Sequence, residues 1–139
     1  MKFLGLDVGN RRVGVAFGDS EVRLATPGEV FTRGAFDDDA RALAKWAREY
    51  GAAQLIVGLP HNMDGTRGAQ AESVVAYAER IGRALDLPVV FWDERLTTIE
   101  ATRRTHAAGG RGKKSRRALD AVAAAVILQD YMDSQENKE

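Results

Sequence analysis

Residues 5–16 read GLDVGNRRVGVA, and this stretch decides how the chain begins to fold. The apolar run over residues 3–8 predicts a buried strand that is closed by the turn formers Gly9 and Asn10. Alternating apolar residues over 13–17 predict a second strand that returns beside the first. The glycines stand where a backbone or a ligand approaches closely. The stretch therefore predicts an antiparallel hairpin with Asp7 near the end of its first strand.

The rest of the pattern adds one strand and then alternates helices with strands. A third extended segment is expected over 24–31, where Pro27 and Gly28 favour an edge position or a bend. Strands are predicted over 54–58 and 89–92, and a long helix that ends at about residue 85 is predicted between them. Further helices are predicted over 36–50, from Thr97 or Thr98 to about Ala107, and over 118–131. This order predicts an α/β fold: a mixed five-stranded sheet flanked by helices, whose first three strands form an antiparallel meander.

Composition limits the class of protein. The chain has 139 residues, no Cys and a formal net charge of zero. We expect one domain over residues 1–132 and a polar tail over 133–139, since domains commonly have roughly 100–200 residues. Without Cys there is neither a disulfide framework nor a thiolate metal site. The N-terminus does not resemble a signal peptide, and no apolar run approaches the roughly 20 residues of a membrane span. A cytoplasmic protein with no membrane partner is therefore expected.

Positive charge is concentrated in one stretch of this neutral chain. Residues 101–117 contain seven Lys and Arg and no acid, and glycines interrupt them at 109, 110 and 112. A local basic block is typical of a nucleic-acid footprint, although a solvated charge run would look the same. We expect 109–117 to form a flexible basic loop. The candidate nucleic-acid-binding residues are Arg11, Arg12, Arg95, Arg111, Lys113, Lys114 and Arg116.

Acidic side chains occupy three places where burial makes them costly. Asp7 is the only ionisable residue between Phe3 and Asn10. Asp93 and Glu94 follow an apolar strand, and Asp120 lies within the apolar stretch 118–128. Each has a simpler explanation: Asp7 could be a turn acid held by Arg11 or Arg12, Asp120 could stabilise a helix N-terminus, and Asp93 and Glu94 could end a strand in solvent.

Taken together, these acids favour a metal site. Converging carboxylates repel one another unless a cation or a proton relieves them. Carboxylate oxygens suit Mg²⁺ or Mn²⁺, and two such ions about 3.5–4 Å apart support phosphodiester hydrolysis. We therefore predict Asp7, Asp120 and one of Asp93 and Glu94 as catalytic residues and metal ligands. His61 and His106 are not spaced as a metal pair; His61 could contact a phosphate, but an ordinary loop histidine is the simpler interpretation.

Four ordered motifs resemble one known family. They are GLDVGNRRVGVA, IVGLPHNMDGT over 56–66, DERLTT over 93–98 and KKSRRALDAVAAAVILQDY over 113–131. Together they are similar to the YqgF/RuvX family, over roughly residues 2–132. The resemblance implies an RNase H-like fold related to the RuvC resolvases, and a nuclease role in maturing the 5′ end of 16S rRNA. His61 departs from the pattern, which more often has an apolar residue there.

The resemblance also implies the site residues. Asp7 corresponds to the first-strand acid, Glu94 to the acid of the DER motif and Asp120 to the helical acid. Neighbouring strand residues point to opposite faces, so at most one of Asp93 and Glu94 should line the site unless the strand ends between them. Glu94 is favoured as the metal ligand, and Asp93 is the second choice, with a structural or supporting role.

Alternative functions differ in substrate or in chemistry. RNA is favoured as the substrate, with ribosome precursors as partners, and a Holliday junction resolvase acting on branched DNA is the alternative. A non-catalytic nucleic-acid-binding module also fits the residues. A phosphotransferase of the actin/Hsp70 kind shares the opening motif but needs a second domain, for which 139 residues leave no room. Monomer and homodimer both remain open.

Overall fold

The computed structural model describes residues 1–62, 64–94 and 113–136, with the side chains of the last helix described over 117–135. Arg95, His106, Arg111 and the helix predicted from Thr97 or Thr98 to about Ala107 lie outside the described residues. So do the side chains of Lys113, Lys114 and Arg116.

The sheet has five strands, as expected, in the order β3-β2-β1-β4-β5. The strands are β1 (Lys2–Val8), β2 (Arg12–Asp19), β3 (Leu24–Thr32), β4 (Gln54–Leu59) and β5 (Val89–Asp93). β1, β2 and β3 form the predicted antiparallel meander. β4 runs parallel to β1, and β5 runs parallel to β4. The carboxyl ends of β1, β4 and β5 therefore lie at one edge of the sheet.

Helices cover both faces of this sheet. They are α1 (Phe36–Tyr50), α2 (Ala69–Leu85) and α3 (Lys113–Glu136). α1 and α2 contribute to one buried apolar cluster, and α3 contributes to another. Within the part of the chain that the structure describes, no helix has both the length and the apolar character to cross a membrane.

The period of two along β1 assigns its side chains to these faces. Leu4, Leu6 and Val8 belong to the cluster that α1 and α2 cover. Phe3 belongs to the cluster under α3. Successive strand residues alternate between faces, so Asp7 lies on the face of Phe3, beneath α3.

The last helix is longer than the sequence pattern predicts. It begins at Lys113 rather than residue 118, and it continues past Tyr131 to Glu136. The expected basic loop is therefore wrong over 113–117, because these residues belong to α3, and Lys, Ser and Arg are all tolerated in a helix. At the other end, Gln129 donates to Asp133 one turn later at 3.1 Å, which supports the helix beyond Tyr131.

α3 approaches the sheet closely through glycines on β1 and β2. A Cβ on Gly5 would lie 3.0 Å from the backbone oxygen of Ala124. A Cβ on Gly14 would lie inside van der Waals contact with the backbone oxygen of Asp120, and one on Gly18 would meet the side chain of Leu128 at 2.6 Å. Because Gly14 lies under Asp120 and Gly18 under Leu128, α3 runs in the direction of β2. The N-terminal end of α3 is thus at the edge where β1 ends.

Gly14→Ala should destabilise the protein by at least about 1–3 kcal/mol, because the added methyl overlaps the backbone of Asp120 rather than a flexible side chain. Gly34→Ala is the matched control, since a Cβ there meets nothing within 4 Å. It should change the free energy of unfolding by no more than about 0.5 kcal/mol. Urea denaturation of both variants measures the difference. Equal stability of Gly14→Ala and Gly34→Ala would contradict this seating of α3.

Candidate active site

Asp7 lies at the carboxyl end of β1, directly opposite Gly14 of β2. Residues opposite each other on neighbouring strands point to the same face. The backbone of Asp120 passes over Gly14, so Asp7 and the first turns of α3 share one corner of the fold. Ligand sites of α/β proteins commonly lie at this end of the strands.

Glu94 follows β5 and extends over the same face. Its Oε1 atom lies 3.0 Å from the position that a Cβ on Gly58 would take, and the side chain of Ile127 from α3 borders that position too. Gly58 is near the end of β4, between β1 and β5. The missing side chain at Gly58 thus leaves room for the Glu94 carboxylate on the α3 side of the sheet.

Asp93 points to the other face and has a partner there. It pairs in register with Leu59, which is buried in the cluster under α1 and α2. The Asp93 carboxylate lies 3.2 Å from Nδ1 of His61, which is also 3.2 Å from the backbone oxygen of Leu59. The expected separation of Asp93 and Glu94 to opposite faces is therefore present in the structure.

The His61–Asp93 contact is not predicted by the sequence. His61 lies in the loop after β4, and Asp93 ends the neighbouring strand β5. Two signals in the sequence are relevant to this contact. His61 departs from the family pattern at its position, and both residues lie at or just after the carboxyl end of a strand. Neither signal says that the two strands are neighbours, which the sheet order alone supplies.

Asp120 forms an ion pair with Arg12 across the fold. Arg12 Nε donates to Asp120 Oδ2 at 2.6 Å, and the two side chains are 34% and 21% exposed. Asp120 is the eighth residue of α3 and so lies beyond the first turn, where a helix dipole acts on acids. The helix-terminus explanation for Asp120 is therefore excluded. Arg12, a candidate partner of Asp7 from the sequence, bonds Asp120.

The three predicted ligands share a face and an edge, but they do not form a ready-made metal cluster. Among residues 1–62, 64–94 and 113–136, no three His, Asp or Glu side chains are grouped so that they could hold a metal ion. Their carboxylate oxygens are the donors that Mg²⁺ or Mn²⁺ prefers, and Gly58 leaves space for one of them. The donor chemistry fits a hard divalent cation. In this structure, however, the Asp120 carboxylate is paired with Arg12.

Basic residues surround this corner. Arg11 is exposed in the turn between β1 and β2, beside Arg12. Arg117, in the second turn of α3, donates to Thr32 Oγ1 at 3.2 Å and to the backbone oxygen of Val30 at 3.1 Å. The first turns of the same helix also carry Lys113, Lys114 and Arg116. Basic positions from both ends of the chain thus gather along the edge that carries the acids.

A second network holds the turn after Asp7. Arg33 donates to the backbone oxygen of Gly9 at 2.9 Å, and its guanidinium carbon lies 4.1 Å from the ring centroid of Tyr77. The Tyr77 hydroxyl donates to Asp39 Oδ2 at 2.9 Å, and the backbone N–H of Gly34 donates to the other carboxylate oxygen at 3.1 Å. Burial, and then the hydrogen bond to Asp39, raises the pKa of Tyr77 far above its ordinary value.

Asp39 has a central position in this network. It lies in the first turn of α1 with Asp37 and Asp38. It is 4% exposed, and it is the only buried charged residue among those the structure describes. It joins α1 to α2 through Tyr77 because a buried carboxylate requires donors.

Tyr77→Phe should lower the free energy of unfolding by about 1–3 kcal/mol, because it leaves a buried carboxylate oxygen without its hydroxyl donor. Tyr50→Phe is a suitable control, since Tyr50 packs against Phe17 and makes ring contacts rather than a hydroxyl bond to a buried acid. Its effect should be near zero. Chemical denaturation of the two variants is the measurement, and equal losses would contradict the role of Asp39.

The fold is that of the RuvC resolvases, which is RNase H-like. Thermus thermophilus RuvC, in a complex with a Holliday junction, matches with a TM-score of 0.61 at 13% identity over 97% of this chain and 96% of RuvC. The fowlpox virus Holliday junction resolvase matches with a TM-score of 0.53, also at 13% identity, over 97% of this chain and 99% of its own. At these identities the likeness is one of fold.

The sequence assigns the family within that fold. The family model of RuvX, described as Holliday junction resolvase, matches residues 1–134, and the chain belongs to this family. A relative from Caldanaerobacter subterraneus subsp. tengcongensis is 41% identical over 139 residues, 99% of both chains. Another from Anaeromyxobacter sp. (strain Fw109-5) is 42% identical over 96% of this chain and 97% of its own. Both carry the name "Putative pre-16S rRNA nuclease".

Proposed function

We propose that this protein is a metal-dependent nuclease of the cytoplasm that hydrolyses phosphodiester bonds in structured nucleic acid, with the 5′ end of pre-16S rRNA as its substrate. The observation that carries the proposal is the placement of Asp7, Glu94 and Asp120 on one face, at one edge of the sheet, with arginines around them. Acids at the strand ends with cations at the rim suit a polyanionic substrate that is held next to bound metal.

In this proposal each side chain has a distinct task. Asp7, Glu94 and Asp120 hold one or two Mg²⁺ or Mn²⁺ ions through carboxylate oxygens. When bound, such ions supply an activated water and stabilise the charge on the leaving oxygen. Arg11 and the basic first turns of α3, with Arg95 and Arg111, bind the phosphates of the strand. Asp93 stays on the other face with His61 and supports the end of β5 rather than the cation.

The names of the relatives favour RNA, and the family description favours a four-way DNA junction as the second candidate. The two substrates make different demands on assembly. Resolving a symmetric junction needs two cuts and therefore two sites, which calls for a homodimer, whereas trimming one RNA end needs a single site. Sedimentation of the protein alone and with each substrate would separate these requirements.

The function is tested by incubating the purified protein with a precursor 16S RNA fragment and with a four-way DNA junction, side by side in Mg²⁺ and in Mn²⁺. Asp7→Asn, Glu94→Gln and Asp120→Asn should each reduce the cleavage rate by about a hundredfold or more, because each removes a charged metal donor. Asp93→Asn is the matched control, since it changes the neighbouring acid on the opposite face, and its loss should be smaller.

Three results would count against the proposal. Cleavage by Asp7→Asn at the wild-type rate would exclude the carboxylate site. Equal nucleic-acid binding by all variants, with no turnover on either substrate in either metal, would favour the non-catalytic binding module. Faster cleavage of the junction than of the RNA would replace the RNA substrate with branched DNA.

A further inference from the structure

The Arg12–Asp120 ion pair joins two residues that are 108 positions apart, at the edge of the sheet that carries the proposed metal ligands. Arg12 begins β2, and Asp120 lies over Gly14, two residues further along that strand. Because Gly14 has no side chain, the helix backbone is close enough for the short 2.6 Å contact. The backbone positions of the two residues are therefore fixed by the packing of α3, and only their side chains are free to change partners.

The ion pair supplies Asp120 with a neighbouring positive charge, as a bound metal cation would. Asp120 is 21% exposed, and a carboxylate in that environment is stabilised by a positive group beside it. In the present arrangement that group is the guanidinium of Arg12. Glu94 and Asp7 lie on the same face, and the described residues include no group of three acidic or histidine side chains that could hold a metal ion, while Asp120 is paired with Arg12.

We infer that Arg12 is a built-in counterion that competes with the divalent cation for Asp120, and that the guanidinium released by cation binding then binds a phosphate of the nucleic acid. The inference rests on the proposed function, since it concerns the same carboxylates. The hydrogen bond to Asp120 uses Nε, so the terminal nitrogens of Arg12 are placed to receive a phosphate, which guanidinium groups bind well.

This competition predicts that replacing Arg12 raises the affinity for the cation, which a purely structural role of Arg12 does not predict. Removing Arg12 takes away the rival of the cation, so cation affinity should rise although the protein loses an ion pair. Nucleic-acid affinity should fall, because the released guanidinium is no longer there to bind phosphate. A residue that only supports the fold, or only orients Asp120 for the metal, would weaken cation binding when it is replaced.

The test is the affinity of the full chain for Mn²⁺ without nucleic acid, measured by titration calorimetry. Arg12→Gln should bind Mn²⁺ about two- to fivefold more tightly than wild type, as expected for the loss of a partly exposed ion pair. Arg12→Lys keeps the charge and should fall between the two. Arg48→Gln is the control: it removes an exposed charge from the last turn of α1, at the opposite edge, and should leave Mn²⁺ affinity unchanged.

Thermal unfolding gives a second readout that does not depend on activity. Without metal, Arg12→Gln should melt below wild type, and Mn²⁺ should raise its Tm by more than it raises that of wild type. Anisotropy of a labelled RNA in Ca²⁺ should show weaker binding by Arg12→Gln than by Arg48→Gln.

The outcomes separate this inference from the proposed function. Unchanged or weaker Mn²⁺ binding by Arg12→Gln, with Mn²⁺ binding lost in Asp7→Asn, overturns the inference and leaves the metal site standing. No Mn²⁺ binding by the wild-type protein overturns both. Tighter Mn²⁺ binding by both Arg12→Gln and Arg48→Gln would show a general charge effect and would also overturn the inference.

Discussion

The contact on which the rest of the structure depends is the close seating of α3 on the sheet. Glycines at positions 5, 14 and 18 remove the side-chain layer that normally separates a helix from the strands beneath it. The facing side of α3 carries alanines, and Ala123 and Ala124 are completely buried against the sheet. Close packing of small residues fixes the height and the direction of α3, because interiors tolerate neither overlap nor voids.

This seating brings distant parts of the sequence to one corner. It places Asp120 over the strand that pairs with β1, within reach of Arg12 and on the face of Asp7. It also places the basic first turns of α3 at the edge where β1, β4 and β5 end. Acidic and basic groups are thus arranged side by side, and the Arg33–Tyr77–Asp39 network holds the intervening turn from the other face. The proposed chemistry depends on this arrangement.

Much of the fold follows from the sequence because it is encoded locally. The period of two in residues 3–8 and 13–17 predicts the first hairpin, and the acids at strand ends mark the edge where Asp7 and Glu94 lie. The strand period assigns Asp93 to its face, whereas Glu94 lies beyond the end of β5 and occupies the space at Gly58 on the opposite face. The family resemblance and the sheet are confirmed by the comparisons and by the strand order.

What the sequence does not predict depends on neighbours in space. The Arg12–Asp120 pair and the Asp39–Tyr77 bond require the sheet order and the packing of the helices. Residues 113–117 are compatible with both a loop and a helix, and tertiary contacts decide between them: Arg117 is tied to β3. The basic block is visible as composition, but the position of its residues 113–117 at the edge that carries the acids follows only from the path of α3.

The central claim is that Asp7, Glu94 and Asp120 hold the cation while Asp93 does not. The most direct measurement is an anomalous difference map from crystals of the protein grown with Mn²⁺. The account predicts a peak on the α3 face of the sheet edge, within about 2–2.5 Å of carboxylate oxygens of these three residues. A peak at Asp93 and His61 on the opposite face, or Mn²⁺ bound with Asp120 still on Arg12 and away from the metal, would contradict it.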